Sequence, residues 1–252
     1  MNRVLLITGG SRGIGAATAR LAATRGWDVA INFARDSAAA ESVAAAVRAQ
    51  GRRAITLRAD VADEAQVVAM FTALDGWAAQ AGGTLAGLVN NAGVVDVAAR
   101  VDQMSGARIQ RMFAINVFGS MWCAREAVRR MSTRHGGQGG AIVNVSSIAS
   151  RLGSPGQYVD YAASKAAIDT FTLGLAREVA AEGVRVTAVR PGIIETEIHA
   201  SGGQPDRARE LAPQMPMQRP GTAGEAAAAI LWLLSDEASY TTGALLDVSG
   251  GR

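Results

Sequence analysis

The chain of 252 residues is short of several things, and each shortage narrows what it can be. It has one cysteine, Cys123, so no internal disulfide framework can hold it together. A lone helical cysteine is read as a small buried hydrophobe. No apolar run approaches the ~18–20 residues of a membrane span. The opening, MNRVLLITGG, meets glycine too early for a secretory leader. A soluble, cytoplasmic protein is expected. Histidine occurs only as His135 and His199, far apart and without metal-ligand spacing around them. Both are expected in surface loops, and no metal is assigned. Net charge is only +3, with scattered basic residues. The nearest thing to a cluster is Arg129, Arg130 and Arg134, which a solvated helix face explains. Nucleic acid is not an expected partner, because its footprint is usually a stripe of basic charge.

Lysine is the sharpest shortage. Of 25 basic residues, all are arginine except Lys165. Arginine replaces lysine well on a solvated surface but poorly where a compact ammonium is needed. The neighbourhood of Lys165 therefore decides whether its survival matters.

What is present is alternation. Short apolar runs at 4–7, 29–33, 54–57, 85–89, 141–145, 184–189 and 244–248 read as strands. Helical stretches at 13–25, 37–50, 63–80, 105–134, 157–181 and 223–234 fall between them. This rhythm implies right-handed βαβ crossovers and an α/β domain whose parallel sheet is covered by helices on both faces. No linker or repeat divides the chain, so residues 1–252 read as a single doubly wound domain. Ligands of such sheets bind at the carboxyl ends of the strands. A Gly/Pro-rich stretch over 191–221 interrupts the rhythm and suits a substrate lid that excludes water. Met215 and Met217 within it would line a substrate pocket or cover the cofactor.

After the first strand comes Thr8-Gly9-Gly10-Ser11-Arg12-Gly13-Ile14-Gly15. Glycines here permit a tight turn and close approach to a pyrophosphate, and the following helix offers free N–H groups. The spacing G-x-x-x-G-x-G gains meaning from its place between strand and helix. The second strand ends in Asn32-Phe33-Ala34-Arg35-Asp36. An acid at that end would bind a ribose 2′-OH, whereas arginine meets a 2′-phosphate. Arg12 and Arg35 favour NADP(H) over NAD(H). Asp36 is the opposing feature, able either to cap the next helix or to repel the phosphate.

Tyr161 and Lys165 stand four apart on an expected helix, hence on one face. A nearby ammonium lowers a phenol's pKa, and a tuned phenol can give a proton to a carbonyl or take one from an alcohol. Tyr158, three residues earlier, has no lysine at the matching offset.

With these motifs together, the sequence resembles the short-chain dehydrogenase/reductase family, in its common branch of about 250 residues, over essentially the whole chain. The resemblance implies a Rossmann-type fold with a seven-stranded parallel sheet in the order 3-2-1-4-5-6-7. It implies cofactor contacts from Gly9, Ser11, Arg12, Gly13, Ile14 and Gly15. Others are implied from Arg35, from Asp60 and Val61 at the adenine, and from Asn90, Ala92 and Gly93 in the Asn-Asn-Ala-Gly motif. The remainder are Tyr161 and Lys165, and Pro191, Gly192, Ile194 and Thr196 at the nicotinamide end. Catalytic roles fall on Asn116, Ser147, Tyr161 and Lys165. Hydride passes to a carbonyl carbon while Tyr161 protonates the oxygen and Ser147 polarises it. Lys165 binds the nicotinamide ribose and lowers the tyrosine pKa; Asn116 holds a water that resupplies the proton. Ser147 lies fourteen residues before Tyr161 where the family usually has thirteen, which an extra residue in the loop 152–160 would explain. Ser146 is the alternative, and it should face the other way. Arg35 sits one step beyond the family's usual NADP arginine.

The family also implies a homotetramer or homodimer, through the long helices and the last strand. Small-molecule substrates to consider are 3-oxoacyl thioesters, sugars and small ketones. Rival readings are a nucleotide-sugar epimerase or dehydratase, whose relatives are usually longer, and a catalytically silent NADP-binding regulator.

Overall fold

The computed structural model describes residues 2–252, and the side chain of His199 lies outside the described residues. Val4, Leu5, Leu6 and Ile7 are all sealed from solvent, because their strand is covered on both sides. Side chains alternate across a strand. Leu5 and Ile7 therefore enter one apolar cluster, and Val4 and Leu6 the other.

The strands are β1 (Asn2–Ile7), β2 (Asp28–Phe33), β3 (Ala54–Arg58), β4 (Gly83–Asn90), β5 (Gly140–Val145), β6 (Val184–Pro191), β7 (Ile194–Glu195), β8 (Gly221–Thr222) and β9 (Leu245–Val248). Seven of them form a parallel sheet in the order β3-β2-β1-β4-β5-β6-β9, while β7 and β8 pair separately. The expected order holds, with β9 as the seventh strand. The helices are α1 (Gly13–Thr24), α2 (Ser37–Ala49), α3 (Glu64–Ala79), α4 (Gly106–Phe113), α5 (Gly119–Met131), α6 (Ala149–Leu152), α7 (Val159–Val179), α8 (Ile198–Ser201), α9 (Arg207–Leu211) and α10 (Ala223–Leu234). Helices α1, α2 and α10 cover the Leu5 face. Helices α3, α5 and α7 cover the Val4 face. Alanines on α1 and α10 let these two helices pack closely.

One expected element is corrected. The helix over 105–134 is two helices joined by a π-helical turn at Ala114–Phe118. The amide of Asn116 explains the break. Its Oδ1 accepts the Val94 N–H at 2.8 Å, and its Nδ2 donates to Val94 O at 3.0 Å and to Ser164 Oγ at 3.1 Å. Those bonds hold the widened turn open, and apolar periodicity does not reveal them. The Gly/Pro-rich stretch also has more order than a loop, since it contains β7, α8, α9 and β8. His135 is exposed after α5, as expected.

Phe71 is fully buried between α3 and the sheet, with the Arg130 guanidinium 5.0 Å from its ring centre. Phe71→Ala should lower the unfolding free energy by roughly 3–5 kcal/mol, through lost burial and the cavity left behind. Urea unfolding midpoints measure this, and a loss below about 1 kcal/mol would contradict the packing described.

Candidate active site

The carboxyl ends of β1, β2, β4, β5 and β6 open into one cavity of about 950 Å³. Its floor is the turn after β1. Gly9 has φ of +59°, and a Cβ there would sit 2.9 Å from Ala92 Cα. A Cβ on Gly15 would come within 2.6 Å of both Gly9 O and Asn91 Nδ2. Both positions thus require glycine. The turn is tied down from two sides. Asn91 Nδ2 donates to Thr8 O and Gly9 O at 2.9 Å, and Thr8 Oγ1 accepts the N–H groups of Asn91 and Ala92 at 3.0 Å. Asn32, which sequence reasoning missed, accepts the Gly9 N–H and donates to Leu57 O and Ala59 O. Its polar side chain in a fully buried strand is the signal that could have found it.

Helix α1 begins without a side-chain cap and has no acid in its first turn. By contrast α2, α3, α4 and α10 start on Asp36, Asp63, Ser105 and Thr222, each capping its helix. The uncapped N–H groups at Gly13 and Ile14 adjoin the cavity, which suits a pyrophosphate. Ser11, Arg12, Arg35, Asp60 and Val61 line the same end. Among the described residues neither Arg12 nor Arg35 pairs with a carboxylate. Asp36 accepts the Ala39 N–H at 2.9 Å, so it caps α2. Room, bare glycine backbone, free N–H groups and two unpaired cations together fit a dinucleotide.

Farther along, Ser147, Tyr161 and Lys165 line the cavity with Ala92, Gly93, Pro191, Gly192, Ile194 and Thr196. Ser147 follows β5, and its Oγ accepts the Ala149 N–H at 3.1 Å while the hydroxyl and the Tyr161 phenol border the same cavity. Ser146 points the other way, donating to Lys165 O at 3.1 Å. Lys165 Nζ donates to Val145 O at 2.7 Å and lies 5.7 Å from the Tyr161 ring centre. Burial pushes Lys165 down to about 8, with the Asp169 carboxylate pulling the other way. The sequence leads one to expect a lowered Tyr161 pKa. In the structure it is raised, because burial outweighs the downward pull of Ser147. The Lys165 ammonium is directed at a carbonyl and not at the phenol oxygen.

Three expected residues stand behind the cavity wall. Asn90 Nδ2 donates to Ser120 O at 3.0 Å and Asn144 Oδ1 at 2.9 Å, tying β4 to α5 and β5. Gly15 makes room for Asn91. Asn116 is fully buried, with its amide engaged by Val94 and Ser164. Gly93 bridges it to the cavity, since a Cβ there would lie 3.4 Å from both Asn116 Oδ1 and Lys165 Nζ. Met215 is buried, and exposed Met217 lines a second cavity near the carboxyl terminus; neither lines the main one. Tyr158 does line it, together with Gln157 and Arg207. No motif marks these three, because α9 and the segment before α7 meet only in the folded chain.

A doubly wound sheet carrying a phenol, a serine and a buried ammonium beside an uncapped glycine turn defines a dinucleotide-dependent oxidoreductase. A family model described as enoyl-(acyl carrier protein) reductase matches residues 9–252. The chain belongs to the short-chain dehydrogenase/reductase family, whose members act on CH–OH and C=O groups with NAD(P). It is 55% identical over 249 residues to an uncharacterized oxidoreductase, YgfF, of Escherichia coli (strain K12), covering 99% of each chain. It is 41% identical over 251 residues to a cis-4-hydroxycyclohexanecarboxylate dehydrogenase of Sinomonas cyclohexanicum, covering 99% of this chain and 96% of that one. A solved short-chain dehydrogenase from Burkholderia cenocepacia J2315 in complex with NADP is similar at TM-score 0.87 and 35% identity, covering 99% and 97%.

The buried lysine sets a pH dependence. Below pH 8 folded and unfolded chains both hold the Lys165 proton, and burial destabilises the fold. As pH rises above about 8 the folded lysine releases its proton while the unfolded one, near 10.5, keeps it. Stability of the wild type relative to Lys165→Met should therefore climb between pH 8 and 10.5, by roughly 3 kcal/mol. Urea titrations at pH 7.5, about 9 and 10.5 measure the difference, and a flat or falling trend would contradict it.

Proposed function

We propose that the protein interconverts a ketone and a secondary alcohol with NADP(H), Tyr161 moving the proton. The observation that carries this reading is that Tyr161, Ser147 and buried Lys165 line one cavity, which the uncapped α1 terminus also enters. A bound nicotinamide supplies or accepts the hydride. Ser147 donates a hydrogen bond to the substrate oxygen and polarises it. Tyr161, its pKa raised by burial, is a protonated acid at neutral pH and gives its proton to that oxygen. Lys165 would hold the nicotinamide ribose, its positive charge would favour the phenolate left behind, and water would return the proton to Tyr161. Asn116 supports the relay from behind by fixing the loop after β4 and Ser164 of α7.

Arg12 and Arg35 favour NADP(H) because, among the described residues, neither has a carboxylate partner and Asp36 is engaged at α2. Pro191, Gly192, Ile194 and Thr196 face the nicotinamide end, and the segment 191–221 acts as a lid. A homotetramer fits the half-exposed Phe118 and Met121 of the π turn and α5 and Leu173 of α7. The reading places the protein in the cytoplasm; no helix among the described residues is long and apolar enough to cross a membrane.

Tyr161→Phe should lower kcat for carbonyl reduction about 10²–10⁴-fold while NADPH still binds. Stopped-flow absorbance at the nicotinamide band and a fluorescence titration read the two quantities. Full activity in the variant would remove Tyr161 from the acid/base role. Cofactor choice is tested by kcat/KM with NADPH against NADH. The wild type should prefer NADPH by about tenfold or more, and Arg12→Ala with Arg35→Ala should erase the preference. A wild type that prefers NADH would refute the assignment.

A further inference from the structure

We propose that Arg207 recognises the substrate and that the substrate carries a carboxylate. This rests on the oxidoreductase reading of the same cavity and adds the chemical class it acts on.

Arg207 stands in α9, and its side chain lines the cavity on the Tyr158 side. It donates to Gln157 Oε1 at 2.7 Å and to Gln204 Oε1. Its guanidinium lies 5.2 Å from the Tyr158 ring centre, and the Tyr158 hydroxyl donates to Gln204 Oε1 at 3.2 Å. Every one of these partners is neutral. Among the described residues no carboxylate lies within ion-pair reach of Arg207. Part-buried Arg108 and Arg190 have one, in Asp160 and Asp169, and part-buried Arg185 and Arg53 are met by backbone carbonyls instead.

The donor count sharpens this. A guanidinium carries five N–H donors in a rigid plane. Two serve the glutamine oxygens, which leaves three. The two amides and the tyrosine ring fix the plane without neutralising it. A planar fork held this way matches a carboxylate, which accepts two parallel hydrogen bonds. One cation on neutral supports balances one negative charge, so a carboxylate fits better than a phosphate dianion.

Placement makes the site part of the reaction. Gln157 and Tyr158 immediately precede α7, and Tyr158 comes three residues before Tyr161. Gln204 and Arg207 belong to the 191–221 segment. The guanidinium therefore joins the proposed lid to the segment that carries the phenol. A substrate would place its oxygen at Tyr161 and its carboxylate at Arg207, and so hold the lid down. Four acids also line the cavity: Asp36 and Asp60 at the end of Arg12 and Arg35, and Asp96 and Glu197. Asp96 accepts the Val97 N–H, and Glu197 approaches Gly13 at the glycine turn.

The test compares 4-oxocyclohexanecarboxylate with its methyl ester, using NADPH and the full-length protein. The wild type should favour the acid over the ester by tenfold or more in kcat/KM. Arg207→Gln should cut that preference by about 10–100-fold, mainly through KM, and Arg207→Lys should restore part of it. NADPH titration checks that each variant is folded. Cyclohexanecarboxylate binding to the NADP-loaded protein, measured by calorimetry, gives a readout independent of turnover. Weaker binding to Arg207→Gln supports the carboxylate site even where no carbonyl is reduced. Equal handling of acid and ester by the wild type, or equal losses for both in Arg207→Gln, overturns the proposal and leaves hydride transfer through Tyr161 standing. A wild type that shows neither carboxylate-dependent binding nor carboxylate-dependent turnover overturns it as well.

Discussion

An ammonium placed out of reach of water needs oxygen atoms around it, and the architecture near Lys165 answers that need. Lys165 meets the Val145 carbonyl at the end of β5, and Asp169 lies one turn along α7. Asp169 in turn pairs with Arg190 of β6, which reaches Asp247 of β9, which meets Arg151 of α6. Charges of alternating sign thus run from beneath the phenol to the far edge of the sheet. The end of β5 is set by the same contact. Its last carbonyl faces Lys165, so the pleat turns Ser146 inward to α7 and leaves Ser147 facing the cavity.

Neutral amides do the complementary work. A primary amide both donates and accepts, so it can bridge backbone groups without adding a charge that must be balanced. Asn32 and Asn91 fasten the glycine turn, and Asn116 fastens the loop after β4. Asn90 and Asn144 link β4, β5 and Thr172 of α7 in one buried chain. Three of these asparagines, Asn32, Asn91 and Asn116, thus hold loops whose own backbones have no ladder to join. Rigid backbone there keeps the cavity open without side chains projecting into it.

Most of the fold was legible in the sequence, because seven apolar runs separated by helical stretches allow few arrangements. Position along the chain identified Gly9, Gly13, Ser147, Tyr161 and Lys165 as neighbours at strand ends, and the structure brings them to one cavity. What was not legible depends on packing. The direction of the Tyr161 shift follows from burial, which no four-residue spacing encodes. The resemblance implies that Asn116 holds a water of the relay, but it does not encode the packing of the amide, which holds Val94 and Ser164. Tyr158 looked like an idle neighbour of Tyr161, and Arg207 like one more arginine among many. Their meeting required the irregular segment 191–221 to fold back, and irregular segments carry no periodicity to read.

The π turn at Ala114–Phe118 also bears on how such a site can change over time. Each residue in an α-helix turns the chain by about 100°. The widened turn acts as one inserted residue, and everything in α5 is phased to it. Removing that residue would restore regular α-helix and swing Cys123, Ala124 and Ala127 away from the apolar cluster they now fill. The insertion and the core beneath it are therefore locked together. A lineage can alter the segment 191–221 residue by residue, but it can surrender this turn only by rebuilding the face of a helix.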